Sequence, residues 1–289
     1  MIKVLLVGAS SFLGHALFRG LAAERGVLTR GTCFSNHTDA SFAPLDITSA
    51  PQIEKILDRE APDCILWVAG NKDLKKCQED YDFAYRINTR PVLDLTECLA
   101  RGKQKSRVLF ISTDYVFDGK KGAYKDTDAP MPVTNYGKTN ALAEELLLNS
   151  GVDFKIVRTA AVMGQGGQFF DWLIKSLLKN EELSLYSNVI FSPTPMNLLV
   201  QAFIDLILNY DAFQQKILHL VGDVPMSRYT FGKLVAGILG SRSVLVPSQV
   251  DFSSVLFQEN LSLVPSPCMK KYNNVSFKER LADEVRTGI

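Results

Sequence analysis

Net charge is almost missing from this chain. Its 32 Lys and Arg against 31 Asp and Glu leave +1 over 289 residues. That balance offers no basic field to a nucleic acid and none to an anionic membrane surface, so neither is expected as a partner. Histidine is scarce, with three residues (His15, His37, His219), and the five cysteines (Cys33, Cys64, Cys77, Cys98, Cys268) stand apart from one another. No metal-ligand spacing is present and no metal is expected, while an odd, scattered set of thiols reads as mostly buried and free. No apolar run approaches the ~20 residues that span a bilayer. The chain opens directly in a strand-like run, without a basic n-region or cleavage site, so a cytoplasmic location is expected. Repeats and low-complexity tracts are also lacking. What is present is a globular composition, 46% hydrophobic and 22% charged, with length for one large or two modest domains.

The most informative stretch comes first. Ile2 to Val7 is apolar except for Lys3, the pattern of a strand covered on both faces. Beyond it Leu13, Ala16, Leu17 and Leu21 fall at helical spacing. The intervening Gly8-Ala9-Ser10-Ser11-Phe12-Leu13-Gly14 is therefore a strand-to-helix turn. Such a turn presents the first N–H groups of the helix at the positive end of its dipole, which suits a phosphate. Gly8 can make the tight turn and Gly14 lets helix and strand pack closely, as in dinucleotide-binding folds. The middle glycine of that pattern is Ser11 here. A glycine pattern alone also fits a turn without a ligand; its place after the first strand favours the dinucleotide.

Strands and helices then alternate. A second strand, about Val27 to Phe34, runs into Ser35-Asn36-His37-Thr38. An NAD-specific site would carry a carboxylate there for the ribose hydroxyls; small polar residues leave room for a 2′-phosphate and favour NADP(H) over NAD(H). Leu45-Asp46-Ile47 precedes a helix ending near Glu60. A third strand, Asp63 to Val68, leads into Ala69-Gly70-Asn71, and one long helix is expected over about Glu79 to Arg101. A fourth strand, Arg107 to Ile111, ends in Ser112-Thr113-Asp114-Tyr115-Val116-Phe117-Asp118-Gly119. A helix from about Tyr136 to Asn149 and a strand from Phe154 to Arg158 follow. This alternation implies a parallel sheet with right-handed crossovers, an α/β doubly wound fold. After Arg158 the periodicity loosens. Residues 1–160 with about 196–222 read as a nucleotide-binding domain, and 161–195 with 223–289 as a small mixed α/β substrate-binding part. Ser227 is a plausible helix cap, and the tail from Ser248 reads as irregular.

Three segments together carry a family resemblance: the Gly8–Gly14 turn, the octapeptide from Ser112 to Gly119, and Asn135-Tyr136-Gly137-Lys138-Thr139. They resemble the extended short-chain dehydrogenase/reductases, above all the dTDP-4-dehydrorhamnose reductases and their sugar-nucleotide relatives. Leu45-Asp46-Ile47-Thr48, Arg86-Ile87-Asn88, Arg158-Thr159, Gly166-Gly167-Gln168-Phe169 and Pro193-Thr194 add to the match, which runs from Ile2 to about Gly240. The resemblance implies NADP(H)-dependent reduction of a keto group on a nucleotide-activated deoxysugar, and it allows a homodimer. It makes Thr113 the hydroxyl that hydrogen-bonds the substrate carbonyl. Tyr136 becomes the acid that protonates the new alkoxide as hydride arrives. It assigns Gly8, Ser10, Ser11, Phe12, Leu13, Ser35, Asn36, Asp46, Ile47, Ala69, Gly70, Asn71, Asn88 and Tyr136 to the cofactor, and Asp114, Tyr115 and Gln168 to the substrate.

One departure falls in the catalytic motif. The family's Lys stands four residues after the Tyr, on the same helix face, where its charge lowers the tyrosine pKa and its ammonium holds the ribose. Here that position is Asn140. Lys138 lies about 200° around the helix and faces away. A Tyr near its ordinary pKa of about 10 would still donate a proton. The alternative expectation is a dinucleotide-binding regulatory or scaffold subunit of the same fold, resembling the β subunit of methionine adenosyltransferase. Read singly, Asp46 also fits a helix-start residue, Asp114 and Asp118 fit turn residues, Lys72, Lys75 and Lys76 fit a solvated face, and Trp67 and Trp172 fit the core.

Overall fold

The computed structural model describes residues 1–34, 39–102, 105–256 and 258–287. The chain divides into two compact units. One comprises Met1–Val116, Pro130–Arg158 and Phe203–Leu218; the other comprises Phe117–Ala129, Thr159–Ala202 and His219–Ile289.

The first unit is built on strands β1 (Ile2–Val7), β2 (Val27–Cys33), β3 (Ala43–Pro44), β4 (Cys64–Trp67), β5 (Arg107–Thr113) and β6 (Phe154–Thr159). With the strand Ile217–His219 they form one sheet in the order Ile217–His219, β6, β5, β4, β1, β2, β3. The pairs β1–β2, β1–β4, β4–β5 and β2–β3 are all parallel. Val4 to Val7 and Cys64 to Trp67 are buried at every residue, as strands sandwiched between helix layers must be. Helices α1 (Phe12–Ala22), α2 (Ala50–Glu60), α3 (Leu74–Glu79), α4 (Tyr81–Asn88), α5 (Arg90–Arg101) and α6 (Asn135–Leu148) supply the layers. Leu5, Ile65, Trp67, Val92, Val108, Ala143 and Ile156 belong to one apolar cluster of this unit. This is the Rossmann-like α/β architecture.

The single helix expected from about Glu79 to Arg101 is two, α4 and α5, and follows α3, which ends at Glu79. Asp80 turns extended (φ −135°) and caps α4, its carboxylate accepting from the Phe83 N–H at 2.8 Å. Pro91 sits in the first turn of α5, where its missing N–H costs nothing.

The second unit gathers its core from α7 (Gln168–Leu178), α9 (Arg228–Leu239), α10 (Phe277–Thr287) and short strands such as Leu183–Tyr186. The helix α8 (Met196–Leu208) precedes α9 in the chain. Ser227 caps α9 as read, accepting from the Thr230 N–H. The tail is not irregular. It contains the turn of 3₁₀ helix Pro267–Tyr272 and α10, whose Leu281 and Val285 are buried. Trp67 is core, but Trp172 is 45% exposed and is not. Four of the free cysteines are buried, and burial pushes the Cys64 thiol up to about 12. Among the described residues no helix is long and apolar enough to cross a membrane, and no His/Cys/Asp/Glu group could hold a metal ion.

Candidate active site

The turn after β1 is shaped by two glycines. Gly8 has φ +93°, and a Cβ there would lie 2.9 Å from the Ala69 backbone. A Cβ on Gly14 would lie 2.1 Å from the Gly8 carbonyl oxygen, so α1 starts this close to β1 because position 14 is glycine. Ser11 is the N-cap of α1: its Oγ accepts from the Gly14 N–H at 3.0 Å and donates to the Gly8 carbonyl at 2.8 Å. Its φ of −75° asks nothing of glycine, so the serine takes the place of the middle glycine without strain. Phe12 and Leu13 open the helix, and their N–H groups have no acceptor within it. Ser10 lies in the turn, partly exposed. The Lys72 ammonium stands 5.7 Å from the Phe12 ring. Lys75 pairs with Glu79, and Lys76 lies over the Phe83 ring.

The loop Ala69-Gly70-Asn71 leaves β4 beside that turn, with the Ala69 N–H donating to the Val7 carbonyl at 3.0 Å. Asn88 pins it from both sides: Oδ1 accepts from the Asn71 N–H at 2.7 Å, and Nδ2 donates to the Asn71 carbonyl at 3.1 Å. A Cβ on Gly70 would meet Asn88 Oδ1 at 3.0 Å. Thr89 Oγ1 donates to the Thr139 carbonyl at 2.7 Å, tying the end of α4 to α6. Asn88 thus fixes the backbone of this loop at Asn71.

Thr113 is the last residue of β5 and is buried. Its hydroxyl donates to Asp114 Oδ1 at 3.0 Å and accepts from the Tyr115 N–H at 3.2 Å. Tyr136 is the second residue of α6, a helix capped by Thr134, whose Oγ1 accepts from the Gly137 N–H at 3.1 Å. A Cβ on Gly137 would meet the Tyr115 carbonyl at 2.1 Å, so α6 rests directly on the turn that follows β5. The rings of Tyr115 and Tyr136 meet edge to face, centroids 5.7 Å apart. Thr113, Asp114, Tyr115 and Tyr136 therefore share one site.

The electrostatics correct one expectation. The Tyr136 phenol does not sit near its ordinary pKa; burial pushes it well above. A hydrogen bond with Thr113 pulls it down in part, while Asp114 and Cys77 push it further up. No cation enters that balance. Asn140 is buried, and its Nδ2 donates to the Tyr136 carbonyl at 2.8 Å, a bond back along its own helix. Lys138 is exposed.

The sequence reading missed what holds these pieces in place. Arg158 on β6 and Glu144 on α6 form an ion pair at 2.6 Å, both 1% exposed, and Ser112 Oγ donates to Glu144 Oε1 at 2.5 Å. Ser112 is next to Thr113, and Glu144 is on the helix of Tyr136. The available signal was a carboxylate on the inner face of one element and an Arg within a buried strand.

A sequence family described as RmlD substrate binding domain matches residues 2–254. The chain belongs to that family. A dTDP-4-dehydrorhamnose reductase from Aggregatibacter actinomycetemcomitans is 31% identical over 239 residues, covering 80% of this chain and 77% of its own. A dTDP-4-dehydrorhamnose reductase structure from Bacillus anthracis, in complex with NADP, matches the fold with a TM-score of 0.84 at 22% identity and covers 100% of both chains. The methionine adenosyltransferase 2 subunit beta of Bos taurus is 24% identical over 164 residues, 56% of this chain and 48% of its own. The family relatives include reductases, and the extended-reductase resemblance read from the motifs agrees with this membership.

The other assigned positions of this RmlD-family chain are spread more widely. Asp46 makes a local turn, its Oδ1 accepting from the Thr48 N–H at 2.9 Å and from the Thr48 hydroxyl at 2.7 Å; Ser49, not Asp46, occupies the N-cap position of α2, without a side-chain bond to the helix. Ile47 packs against the first unit's core. Asp118 is a turn residue, accepting from the Lys120 N–H and the Tyr124 hydroxyl. Gln168 begins α7 in the second unit. Ser35 and Asn36 lie outside the described residues.

Proposed function

We propose that this protein is an NADP(H)-dependent reductase of a keto group on a nucleotide-activated deoxysugar, of the dTDP-4-dehydrorhamnose reductase kind. One observation carries the reading: Tyr136, whose helix rests on the turn after β5, and Thr113, the last residue of β5, share one site in the same unit as the turn after β1. Ligands of doubly wound sheets bind at those strand ends. The turn suits a pyrophosphate, because glycine at 8 and 14 keeps side chains out and the Phe12 and Leu13 N–H groups are unspent within α1. Phe12, Leu13, Ser10 and Ser11 would hold the phosphates, with Ala69, Gly70 and Asn71 lining the nicotinamide side and Asp46 and Ile47 the adenine side. When bound, NADPH supplies the hydride that reduces the carbonyl carbon.

The chain's own part is the proton and the orientation. The Thr113 hydroxyl, whose one proton goes to Asp114 in the free protein, turns to donate it in a hydrogen bond to the carbonyl oxygen, and Tyr136, protonated throughout the neutral range, gives that oxygen its proton. Asp114 holds the Thr113 hydroxyl until the carbonyl takes its place, Tyr115 contacts the sugar nucleotide, and Gln168 keeps the substrate role that the resemblance implies. With Asn140 in place of a lysine the phenol stays a weak acid. That single feature favours a second reading, a dinucleotide-binding regulatory subunit without turnover. The preference for NADP(H), the absence of nucleic-acid and membrane partners, a homodimer and a cytoplasmic location belong to the same proposal. Initial rates of NADPH oxidation against a panel of 4-keto nucleotide sugars test it, with cofactor fluorescence titrated in parallel. Turnover supports the reductase. Binding of NADPH without turnover of any sugar transfers the case to the regulatory subunit, and no binding at millimolar cofactor removes both.

A further inference from the structure

The second unit holds a cavity of about 230 Å³ lined by none of the residues of the candidate active site. Its wall is largely apolar, with Leu198, Val221, Met269 and Phe277 among the lining residues, and Arg280 completes it. Arg280 belongs to α10 and is 7% exposed. Among the described residues its guanidinium makes a single hydrogen bond, Nη2 to the Tyr272 carbonyl at 3.2 Å, and its buried Nε has no acceptor. The carboxylate one turn along α10, Glu284, would be its natural partner. Glu284 instead accepts the Asn197 N–H at 2.6 Å. Burial works against the charge of Arg280, and Tyr272 and Asp283 offset this in part.

A guanidinium keeps its charge at any physiological pH and is costly to bury without an anion. We propose that this cavity is a binding site for a small organic monocarboxylate, with Arg280 as the anion receptor and the apolar wall taking the hydrocarbon body. Arg is suited to the role because its planar fork matches a carboxylate. The charge balance favours a monoanion over a phosphate dianion: besides Arg280, the exposed Lys270 and Asp223 at the cavity contribute one charge of each sign. The apolar lining favours a branched or aromatic body over a sugar. This site does not depend on the reductase reading, since every residue named here lies in the second unit and none in the proposed catalytic set.

Methyl NMR of the full chain tests it. The chain has six methionines, and Met269 lies in the cavity wall, so its resonance can be assigned through Met269→Leu. Phenylacetate and isovalerate are titrated beside phenylacetamide, the neutral isostere, and inorganic phosphate. The expected result is a saturable shift of the Met269 methyl with the carboxylates, at least tenfold weaker binding of the amide, and no shift with phosphate. Arg280→Met should weaken phenylacetate by about 10–100-fold, the loss typical of a hydrogen bond to a charged group, with an unliganded Tm equal to or above that of the wild type. Arg280→Lys should retain part of the affinity. Should Arg280→Met fail to fold, Arg280→Lys and the wild-type contrast between acid and amide decide the matter. A silent Met269 methyl, equal binding of acid and amide, or a response to phosphate alone would overturn the proposal. So would an Arg280→Met protein that melts much lower than a non-binding wild type, which would make the guanidinium a brace on Tyr272.

Discussion

Two places in the first unit carry a residue other than the one the sequence pattern calls for, and they fare differently. At position 11, serine replaces glycine and performs a comparable backbone service: it caps α1 through Gly14 and closes the turn onto Gly8. At position 140, asparagine replaces lysine, and its amide turns back onto the Tyr136 carbonyl, leaving the phenol with a hydroxyl and carboxylate for neighbours but no cation. A turn needs dihedral angles and hydrogen bonds, and several small residues supply those. A proton donor's acidity needs a charge at a given distance, and an amide cannot supply that. The family pattern is therefore kept more completely in the turn after β1 than around Tyr136.

The sharpest way to probe the contrast is Tyr136→Phe. If the proposed acid works, turnover should fall by on the order of 10²–10⁴ while neutral-pH stability holds. The same variant reads out the phenol's environment. A tyrosine whose pKa is raised by folding supports the native state below its unfolded value of about 10 and withdraws that support as pH rises through the folded value. The alkaline decline in Tm should therefore be shallower in Tyr136→Phe, with Tyr124, Tyr210 and the thiols of Cys64, Cys77 and Cys98, all also raised by burial, contributing to the decline that remains. An unchanged rate would make Tyr136 structural.

Gly14→Ala attacks the other side. Its Cβ meets a carbonyl oxygen rather than a flexible side chain, so about 1–3 kcal/mol of stability should be lost, together with cofactor fluorescence enhancement. Wild-type melting and binding in this variant would mean that the turn is looser than its geometry. Asn140→Lys should do the reverse at the second place. A shift of one pKa unit in the phenol is about 1.4 kcal/mol, or tenfold, and reductase rates near neutral pH should rise by about that factor. Equal rates in wild type and variant would remove the claim that Asn140 limits the acid. The smallest effect belongs to Ser11: Ser11→Ala should cost about 1 kcal/mol of Tm-derived stability as the cap is lost, and Ser11→Gly only a few tenths. A larger loss with Gly than with Ala would break the comparison.

Most of the sheet was legible because buried parallel strands are written as short apolar runs. Cys64–Trp67 and Val108–Phe110 could hardly be anything else. The turn at Gly8 was legible because steric exclusion of a Cβ leaves one residue type. Thr113 and Tyr136 were legible through resemblance, since a lone tyrosine at a helix start has no periodic signature. The break in the long helix was missed although Pro91 announced it, and α10 was missed although Ser276 and Glu279 form a reciprocal cap, the Ser276 N–H donating to Glu279 Oε2 at 2.8 Å. The Asn140 bond and the elevated phenol could not be read at all: both depend on which way a side chain turns and on what surrounds it, neither of which spacing encodes. The coenzyme preference rests on Ser35 to Thr38, outside the described residues.

The ion pair between Arg158 and Glu144 has a consequence in time as well as in position. Breaking a buried pair leaves an uncompensated charge, at a cost of about 3–5 kcal/mol, so α6 cannot lift from β5 and β6 in a small fluctuation. Amide protons from Thr139 to Leu147 should therefore exchange with solvent only through openings approaching global unfolding, while those of Phe12 and Leu13, held by no intrahelical acceptor, exchange from the native state. The amides of the helix bearing Tyr136 would keep their protons for hours, while those that open α1 would lose theirs in moments.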